Sequence, residues 1–103
     1  MKVEILHVAG CPHAIPALHL VQKTLKQEGL KAEVQALLVE TEQEAQTLRF
    51  SGSPTIRVDG EDVEPILEPQ FSLGCRLYRN PVNPGLPCEE AVRVAICRGG
   101  KEG

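Results

Sequence analysis

The sequence predicts one α/β domain with the element order β-α-β-α-β-β-α. Two observations carry this prediction. Short apolar or alternating runs, typical of strands, are separated by segments whose apolar residues repeat at helical spacing. Breaks rich in glycine, proline and serine lie between these segments. The chain has 103 residues, which fits a single domain over residues 1–103.

The first predicted strand, residues 2–8, is a central one because apolar side chains occupy both of its faces. A break at residues 10–12 follows it. Residues 13–28 are then predicted to form a helix that ends at Gly29, a residue typical of helix C-termini. The apolar stripe of this helix consists of Ala14, Ala17, Leu18, Val21 and Leu25.

Residues 31–39 alternate between apolar and polar side chains, which predicts the second strand. Thr41 and Glu44 have the spacing of a capping box, in which two side chains satisfy free N–H groups at a helix start. This motif predicts a short second helix that runs through about Phe50.

A hairpin and a last helix complete the predicted order. Residues 55–58 and 61–64 are predicted to be paired strands, because Asp59-Gly60 between them is a typical hairpin turn. The last helix is predicted over residues 87–98 and is expected to end at residues 99–100, two glycines. The acidic side chains around the hairpin are expected to face solvent: Asp59, Glu61, Asp62 and Glu64.

Residues 65–87 form a segment with five of the eight prolines of the chain, so an irregular path is predicted for it. Long irregular segments in compact domains are often functional or mobile. Whether residues 73–78 are ordered within it is left open by the sequence.

Composition limits the expected partners. The net charge is -3 and the chain has two Phe, one Tyr and no Trp, so neither a basic surface nor a stacking surface for nucleic acid is predicted. No apolar run approaches the ~20 residues of a membrane span, and the N-terminal apolar run is too short for a signal peptide. A cytoplasmic protein without a membrane partner is expected, and the oligomeric state is not indicated.

Four cysteines, Cys11, Cys75, Cys88 and Cys97, are the main candidates for chemistry. Without a signal peptide, reduced thiols are expected rather than a disulfide framework. No pair has the Cys-x-x-Cys spacing of common zinc sites, so structural zinc is not predicted. Cys88 and Cys97 lie in the predicted last helix, where packing is the expected role.

Cys11 is the predicted reactive residue. It lies between a central strand and a helix, at the carboxyl end of the sheet, where open α/β sheets hold their ligands. The N–H groups and positive potential of the helix start stabilise a thiolate relative to a thiol. A protonated His13 would add to this effect.

Ser53-Pro54-Thr55 precedes the third strand and is a plausible site for a cis peptide bond. Taken together, Cys11-Pro12-His13-Ala14, Gly52-Ser53-Pro54-Thr55-Ile56 and Asp59-Gly60 resemble the thioredoxin-like superfamily. The resemblance covers most of the chain apart from residues 65–87. It implies a mixed central sheet with helices on both faces, and a nucleophilic Cys11 against a cis Pro54. The substrate-binding residues it implies are Pro12, His13, Ser53, Pro54 and Thr55.

The sequence departs from the superfamily's dithiol motif, because Ala14 stands where the second cysteine is usual. Cys75 is the candidate for a second thiol if its loop folds over Cys11, and the neighbouring Arg76 would favour its thiolate. The residues 52–60 and 74–78 are also similar to small thioredoxin-like proteins found with bacterial organomercurial-lyase and mercury-resistance proteins. This narrower resemblance implies handling of thiophilic metals.

Three functions remain open at this point. The first is a monothiol-type thiol–disulfide oxidoreductase that uses Cys11, with thiols and disulfides of small molecules or proteins as partners and no cofactor. The second is binding or delivery of a soft metal ion, Hg(II) or Cu(I), by Cys11 and Cys75. The third is a redox-inactive adaptor, because a fold alone does not determine function.

Overall fold

A computed structural model describes residues 1–102 of the chain, with side chains described through Gly99. The chain is an α/β protein with a four-stranded mixed sheet and three helices. The elements in chain order are β1 (Lys2–His7), α1 (Ala14–Glu28), β2 (Glu33–Leu38), α2 (Glu42–Leu48), β3 (Thr55–Val58), β4 (Glu61–Asp62) and α3 (Glu89–Glu102). None of the described helices is long and apolar enough to cross a membrane.

The sheet has the strand order β2-β1-β3-β4. β1 runs parallel to β2 and antiparallel to β3, and β4 runs antiparallel to β3. The pairing of Leu6 with Thr55 brings the carboxyl end of β1 beside the start of β3. The loop that holds Cys11 and the turn that holds Pro54 therefore lie at the same end of the central strands.

Successive residues of β1 point to opposite faces of the sheet, and both faces of this strand carry apolar side chains that helices cover. Ile5 packs with α1 and α3 on one face, and Leu6 packs with α2 on the other. The first cluster includes Val3, Ile5, Ala17, Val21, Leu25, Ile56, Val92 and Ile96. The second consists of Leu6, Val39, Ala45 and Phe50.

The predicted cap at the start of α2 is confirmed for Thr41, whereas the Glu44 carboxylate accepts from the Thr41 hydroxyl rather than from its backbone N–H. Thr41 is the N-cap residue and its Oγ1 accepts a hydrogen bond from the Glu44 N–H at 3.0 Å. Thr41 Oγ1 also donates to Glu44 Oε1 at 3.2 Å. The helix ends at Leu48 rather than near Phe50, because Arg49 takes a left-handed conformation with φ 55°.

Thr41→Ala is expected to lower the free energy of unfolding by about 1 kcal/mol, because the Glu44 N–H loses its capping partner. Urea denaturation followed by circular dichroism measures the change. Thr47→Ala is the matched control, since Thr47 is an exposed residue inside the same helix. An equal effect of the two substitutions would contradict a capping role for Thr41.

The predicted end of the last helix at residues 99–100 is wrong, because α3 continues to Glu102. Gly99 serves close packing instead of helix termination. A Cβ added at Gly99 would lie 3.0 Å from Val58 Cγ1 and 3.1 Å from Asp59 Oδ2. The absence of a side chain lets α3 approach the β3–β4 turn.

The return strand of the hairpin is also shorter than the predicted residues 61–64. β4 contains only Glu61 and Asp62. The Val63 N–H still donates to the Ile56 carbonyl, but the Glu64 N–H donates to Asp62 Oδ1 at 2.8 Å. The next residue that could donate to β3 is Pro65, which has no N–H, so the ladder ends here. The turn itself has the predicted conformation, with φ of 51° at Asp59 and 85° at Gly60.

Candidate functional site

Cys11 lies in the loop between β1 and α1, as predicted, and its side chain is half-buried. The loop turns at Gly10, whose φ is 72°. Its backbone is closed by hydrogen bonds from the Cys11 N–H to the Val8 carbonyl and from the Ala14 N–H to the Cys11 carbonyl, both 3.3 Å. The thiol therefore stands on a short, hydrogen-bonded turn directly before a helix.

The start of α1 supplies positive potential to this loop. His13 is the N-cap residue, and no described side chain caps the helix start. Pro16, which has no N–H to leave unsatisfied, lies in the first turn. Cys11 therefore lies two residues before the N-cap of a helix whose start no described side chain caps.

The Ser53–Pro54 peptide bond is cis, as predicted. Ser53, Pro54 and Thr55 are all buried. Ser53 Oγ accepts a hydrogen bond from the Val8 N–H at 3.1 Å, so the proline turn is attached to the loop that holds Cys11. Thr55 Oγ1 donates to the Gly52 carbonyl at 2.6 Å, which closes the turn on itself.

Cys75 lies on the other side of the same turn. The Ser53 N–H donates to the Gly74 carbonyl at 2.9 Å, and the Arg76 N–H donates to the Ser53 carbonyl at 3.1 Å. These two bonds form an isolated parallel bridge between Ser53 and Cys75. The Cys75 side chain is exposed. Ser53 thus contacts the backbone of both segments that carry the predicted catalytic cysteines.

A Cys75 thiolate favoured by Arg76 would require the two side chains to approach, and the Arg76 side chain is instead directed to Asp62. Its guanidinium is bound by Asp62, with Nη1 to Oδ2 at 2.5 Å and Nη2 to Oδ1 at 3.0 Å. Nη2 also donates to the Glu64 carbonyl. The Arg76 residue is only 3% exposed. The expectation that Asp62 simply faces solvent is therefore wrong, because it pairs with a buried cation.

Tyr78 joins this contact network to the proline turn. Its hydroxyl donates to the Pro54 carbonyl at 2.5 Å, and the Arg76 guanidinium carbon lies 4.4 Å from the ring centre. Burial raises the pKa of the Tyr78 phenol far above its ordinary value, and this effect exceeds the opposing one of Arg76. The phenol is neutral at physiological pH and keeps its proton for the Pro54 carbonyl.

The sequence did not identify Asp62, Arg76 and Tyr78 as parts of the site. The structure shows that residues 75–78 alternate between exposed and buried side chains, as an extended segment does, but the sequence carries no signal of this, because the charged residue is a buried one. Cys75 and Leu77 are exposed, whereas Arg76 and Tyr78 are buried. The partners of an arginine distant in sequence cannot be deduced from such a pattern.

The proline-rich segment reaches the start of α1 as well. Residues 65–87 contain no helix or named strand, which confirms the predicted irregular path. A Cβ added at Gly85 would lie 2.4 Å from His13 Cε1 and Nε2, so the His13 ring packs directly on the Gly85 backbone. His13 is thus covered by the loop. Pro12, the residue before it, is exposed.

The other two cysteines are half-buried and lie on α3 or next to it. Cys88 Sγ donates to the Arg79 carbonyl at 3.2 Å, and Cys97 Sγ donates to Glu28 Oε1 at 3.1 Å. Cys88 lines a groove of about 500 Å³ between the hairpin and α3, and Cys11 and Cys75 are not among its lining residues. The groove is therefore separate from the predicted thiol site.

Within the described residues, no group of three or more His, Cys, Asp or Glu side chains is placed to hold a metal ion. The chain is thus an α/β protein in which a thiol loop and a second cysteine segment both bind one buried cis-proline turn. No protein-family model, no curated protein and no solved structure matches it.

Proposed function

We propose that this chain is a thioredoxin-like thiol protein that performs thiol–disulfide exchange with Cys11 as the nucleophile. The observation that carries the proposal is the attachment of both cysteine segments to Ser53. Ser53 Oγ bonds the Cys11 loop at Val8, and the Ser53 backbone bonds both neighbours of Cys75. The element order, the parallel β1–β2 pair and the cis Pro54 support the thioredoxin-like assignment.

The exchange begins with the Cys11 thiolate attacking one sulfur of a disulfide R–S–S–R′. A bond forms between Cys11 Sγ and RS, the S–S bond of the substrate breaks, and R′S⁻ leaves. Position 14 is alanine, so the second thiol of the usual motif is replaced by a thiol from elsewhere.

Cys75 is the proposed second thiol. Its thiolate attacks Cys11 Sγ in the mixed disulfide, a Cys11–Cys75 disulfide forms, and RS⁻ leaves. The net result is two-electron reduction of the substrate and oxidation of the two protein thiols. Two equivalents of a low-molecular-weight thiol then reduce the protein disulfide. A cytoplasmic location, where such thiols keep cysteines reduced, fits this cycle.

Loss of the Cys11 thiol is expected to abolish turnover. The assay uses hydroxyethyl disulfide as substrate and glutathione as reductant, with the mixed disulfide located by mass spectrometry. Cys11→Ser is expected to reduce the rate to that of the uncatalysed reaction, because no nucleophile remains at the helix start. Cys88→Ser is the matched control and is expected to keep the wild-type rate, since its thiol bonds the Arg79 carbonyl instead.

The role of Cys75 is tested by incubating the protein with hydroxyethyl disulfide before glutathione is added. Cys75→Ser is expected to accumulate the Cys11 mixed disulfide, whereas the wild type is expected to form the Cys11–Cys75 disulfide. Turnover that persists in Cys11→Ser would disprove the proposed nucleophile. A wild-type protein that shows no turnover would instead direct attention to the soft-metal alternative, in which Cys11 and Cys75 bind one Cu(I) or Hg(II) ion. Titration of wild type and the Cys11→Ser, Cys75→Ser double variant with Hg(II) separates that function from an adaptor without redox activity.

A further inference from the structure

The backbone of Ser53, which precedes β3 beside the Cys11 loop, is already hydrogen-bonded within the chain. Extended peptides bind to sheets by pairing with a free backbone N–H and C=O at an edge. Ser53 would be the residue to offer them here, since its side chain contacts the Cys11 loop. Its N–H and C=O are both taken, by the Gly74 carbonyl and the Arg76 N–H.

We call residues 72–78 the strap, because they lie across this turn. Hydrogen bonds hold the strap at both of its ends as well as at its centre. The Ser72 N–H donates to the Phe50 carbonyl at 3.2 Å, and the Tyr78 hydroxyl donates to the Pro54 carbonyl at 2.5 Å. The strap also packs closely on the turn, since a Cβ added at Gly52 would lie 3.1 Å from the Arg76 backbone.

The side chain of Arg76 adds a buried ion pair to these hydrogen bonds. Its side chain is 1% exposed and carries a bidentate ion pair with Asp62. An incoming polypeptide could pair with Ser53 only by displacing the strap. That displacement would separate the buried guanidinium from Asp62 and from the Glu64 carbonyl, which strongly opposes it.

Small molecules can still reach the two thiols, although the Ser53 N–H and C=O are already hydrogen-bonded. Cys11 is half-buried rather than enclosed, and the Cys75 side chain is exposed. A compact disulfide needs only to reach these sulfur atoms, whereas an extended polypeptide would also pair with the Ser53 N–H and C=O.

We infer that the substrates of this site are low-molecular-weight disulfides and thiols, and that Arg76 is a positioning residue that holds the strap closed against extended polypeptides. The inference rests on the proposed reaction of Cys11. The reaction used to test it is the first exchange step alone: Cys11 thiolate attacks the cysteine sulfur of a thionitrobenzoate mixed disulfide. A Cys11–cysteine disulfide forms and thionitrobenzoate leaves as a coloured thiolate.

Two probes carry the same reacting group. One is N-acetylcysteine–thionitrobenzoate, and the other is an extended, uncharged peptide with the same mixed disulfide on a central cysteine. Each rate is divided by the rate of the same probe with free N-acetylcysteine thiolate, which removes intrinsic differences in reactivity. The Cys75→Ser, Cys88→Ser, Cys97→Ser background confines the signal to Cys11. All other residues are those of the wild type, and the hydrogen bonds between the strap and Ser53 use only backbone groups, so the three serine substitutions leave them in place.

In that background the normalised rate for the small probe is expected to exceed that for the peptide by at least about tenfold, equivalent to about 1.4 kcal/mol in activation free energy. Arg76→Met is expected to bring the ratio toward one by loosening the strap. Arg79→Met is the matched control and is expected to keep the ratio, because the exposed Arg79 uses only its backbone N–H to bind Glu64.

Equal normalised rates for the two probes before any arginine change would overturn the inference. If neither probe reacts at Cys11, the proposed function fails instead. Should Arg76→Met not fold, Tyr78→Phe, which removes only the hydrogen bond to the Pro54 carbonyl, tests another attachment of the strap with the same ratio. Amide hydrogen exchange gives an independent readout: the Ser53 and Arg76 N–H groups are expected to be protected in the wild type, and rapid exchange of both would contradict a closed strap.

Discussion

Asp62→Ala is expected to lower the free energy of unfolding by about 3–5 kcal/mol, because it leaves a buried cation without its counter-ion. The Arg76 guanidinium has a side-chain exposure of 1%, and both of its contacts with a charged group go to Asp62. The contacts that remain to the guanidinium, with the Glu64 carbonyl and the Tyr78 ring, carry no negative charge, and its Nε has no hydrogen-bond partner among the described atoms. Asp62 also accepts from the Glu64 N–H, and this bond disappears with it.

Removing the cation should be less damaging than removing the anion. In Arg76→Met the charge leaves the buried site together with its desolvation penalty, and Asp62, whose side chain is 19% exposed, can be hydrated. We therefore expect Asp62→Ala to destabilise the protein more than Arg76→Met. Urea denaturation of both variants measures the order.

Glu61→Ala is the matched control for Asp62→Ala, because Glu61 is an exposed carboxylate in the same two-residue strand. It is expected to change the free energy of unfolding by no more than about 0.5 kcal/mol. Similar losses in Glu61→Ala and Asp62→Ala would show that the buried ion pair does not stabilise the fold. The far-ultraviolet circular dichroism spectrum checks that each variant is folded before its stability is compared.

Phe50→Ala is expected to lower the free energy of unfolding by about 3–5 kcal/mol through the cavity it leaves. Phe50 is 0% exposed and is the largest side chain in the cluster on the α2 face of the sheet. The cluster contains only three other fully buried members, Leu6, Val39 and Ala45. A small cluster has few neighbours that can move into the space of a lost ring.

Phe71→Ala provides the comparison, because the chain has only these two phenylalanines. Phe71 is partly exposed, and its ring lies beneath the Arg49 guanidinium at 5.6 Å. Its loss is expected to cost about 1 kcal/mol, the typical effect of removing a half-buried contact. Equal destabilisation by the two substitutions would contradict a separate packed cluster on the α2 face.

Local features of the fold were predictable wherever a short pattern specifies one conformation. The predicted N-cap at Thr41 formed, because its side chain satisfies the Glu44 N–H within one helical turn. Gly29 takes the left-handed conformation that ends α1. The Asp59-Gly60 turn has two positive φ angles, which few other residue pairs accept.

Glycine showed the limit of such patterns. Gly29 ends a helix, whereas Gly99 lies inside one, although both follow a helical apolar stripe. The difference is tertiary: α3 packs against Val58 and Asp59 where a side chain would collide. Helix propensity alone favours a stop at two consecutive glycines, and packing of the helix on the hairpin overrides it.

The candidate site likewise has some features that local sequence patterns predict and others that only tertiary contacts determine. The sequence alone determined that Cys11 would stand at the end of a central strand and before a helix, because alternating and helical apolar periods meet at that residue. It also indicated the cis Pro54 turn. The tertiary structure alone decided that Cys75 would pair with Ser53 and that Arg76 would be buried against Asp62. Those contacts join residues far apart in the chain, and their stability comes from burial and charge pairing that no local pattern records.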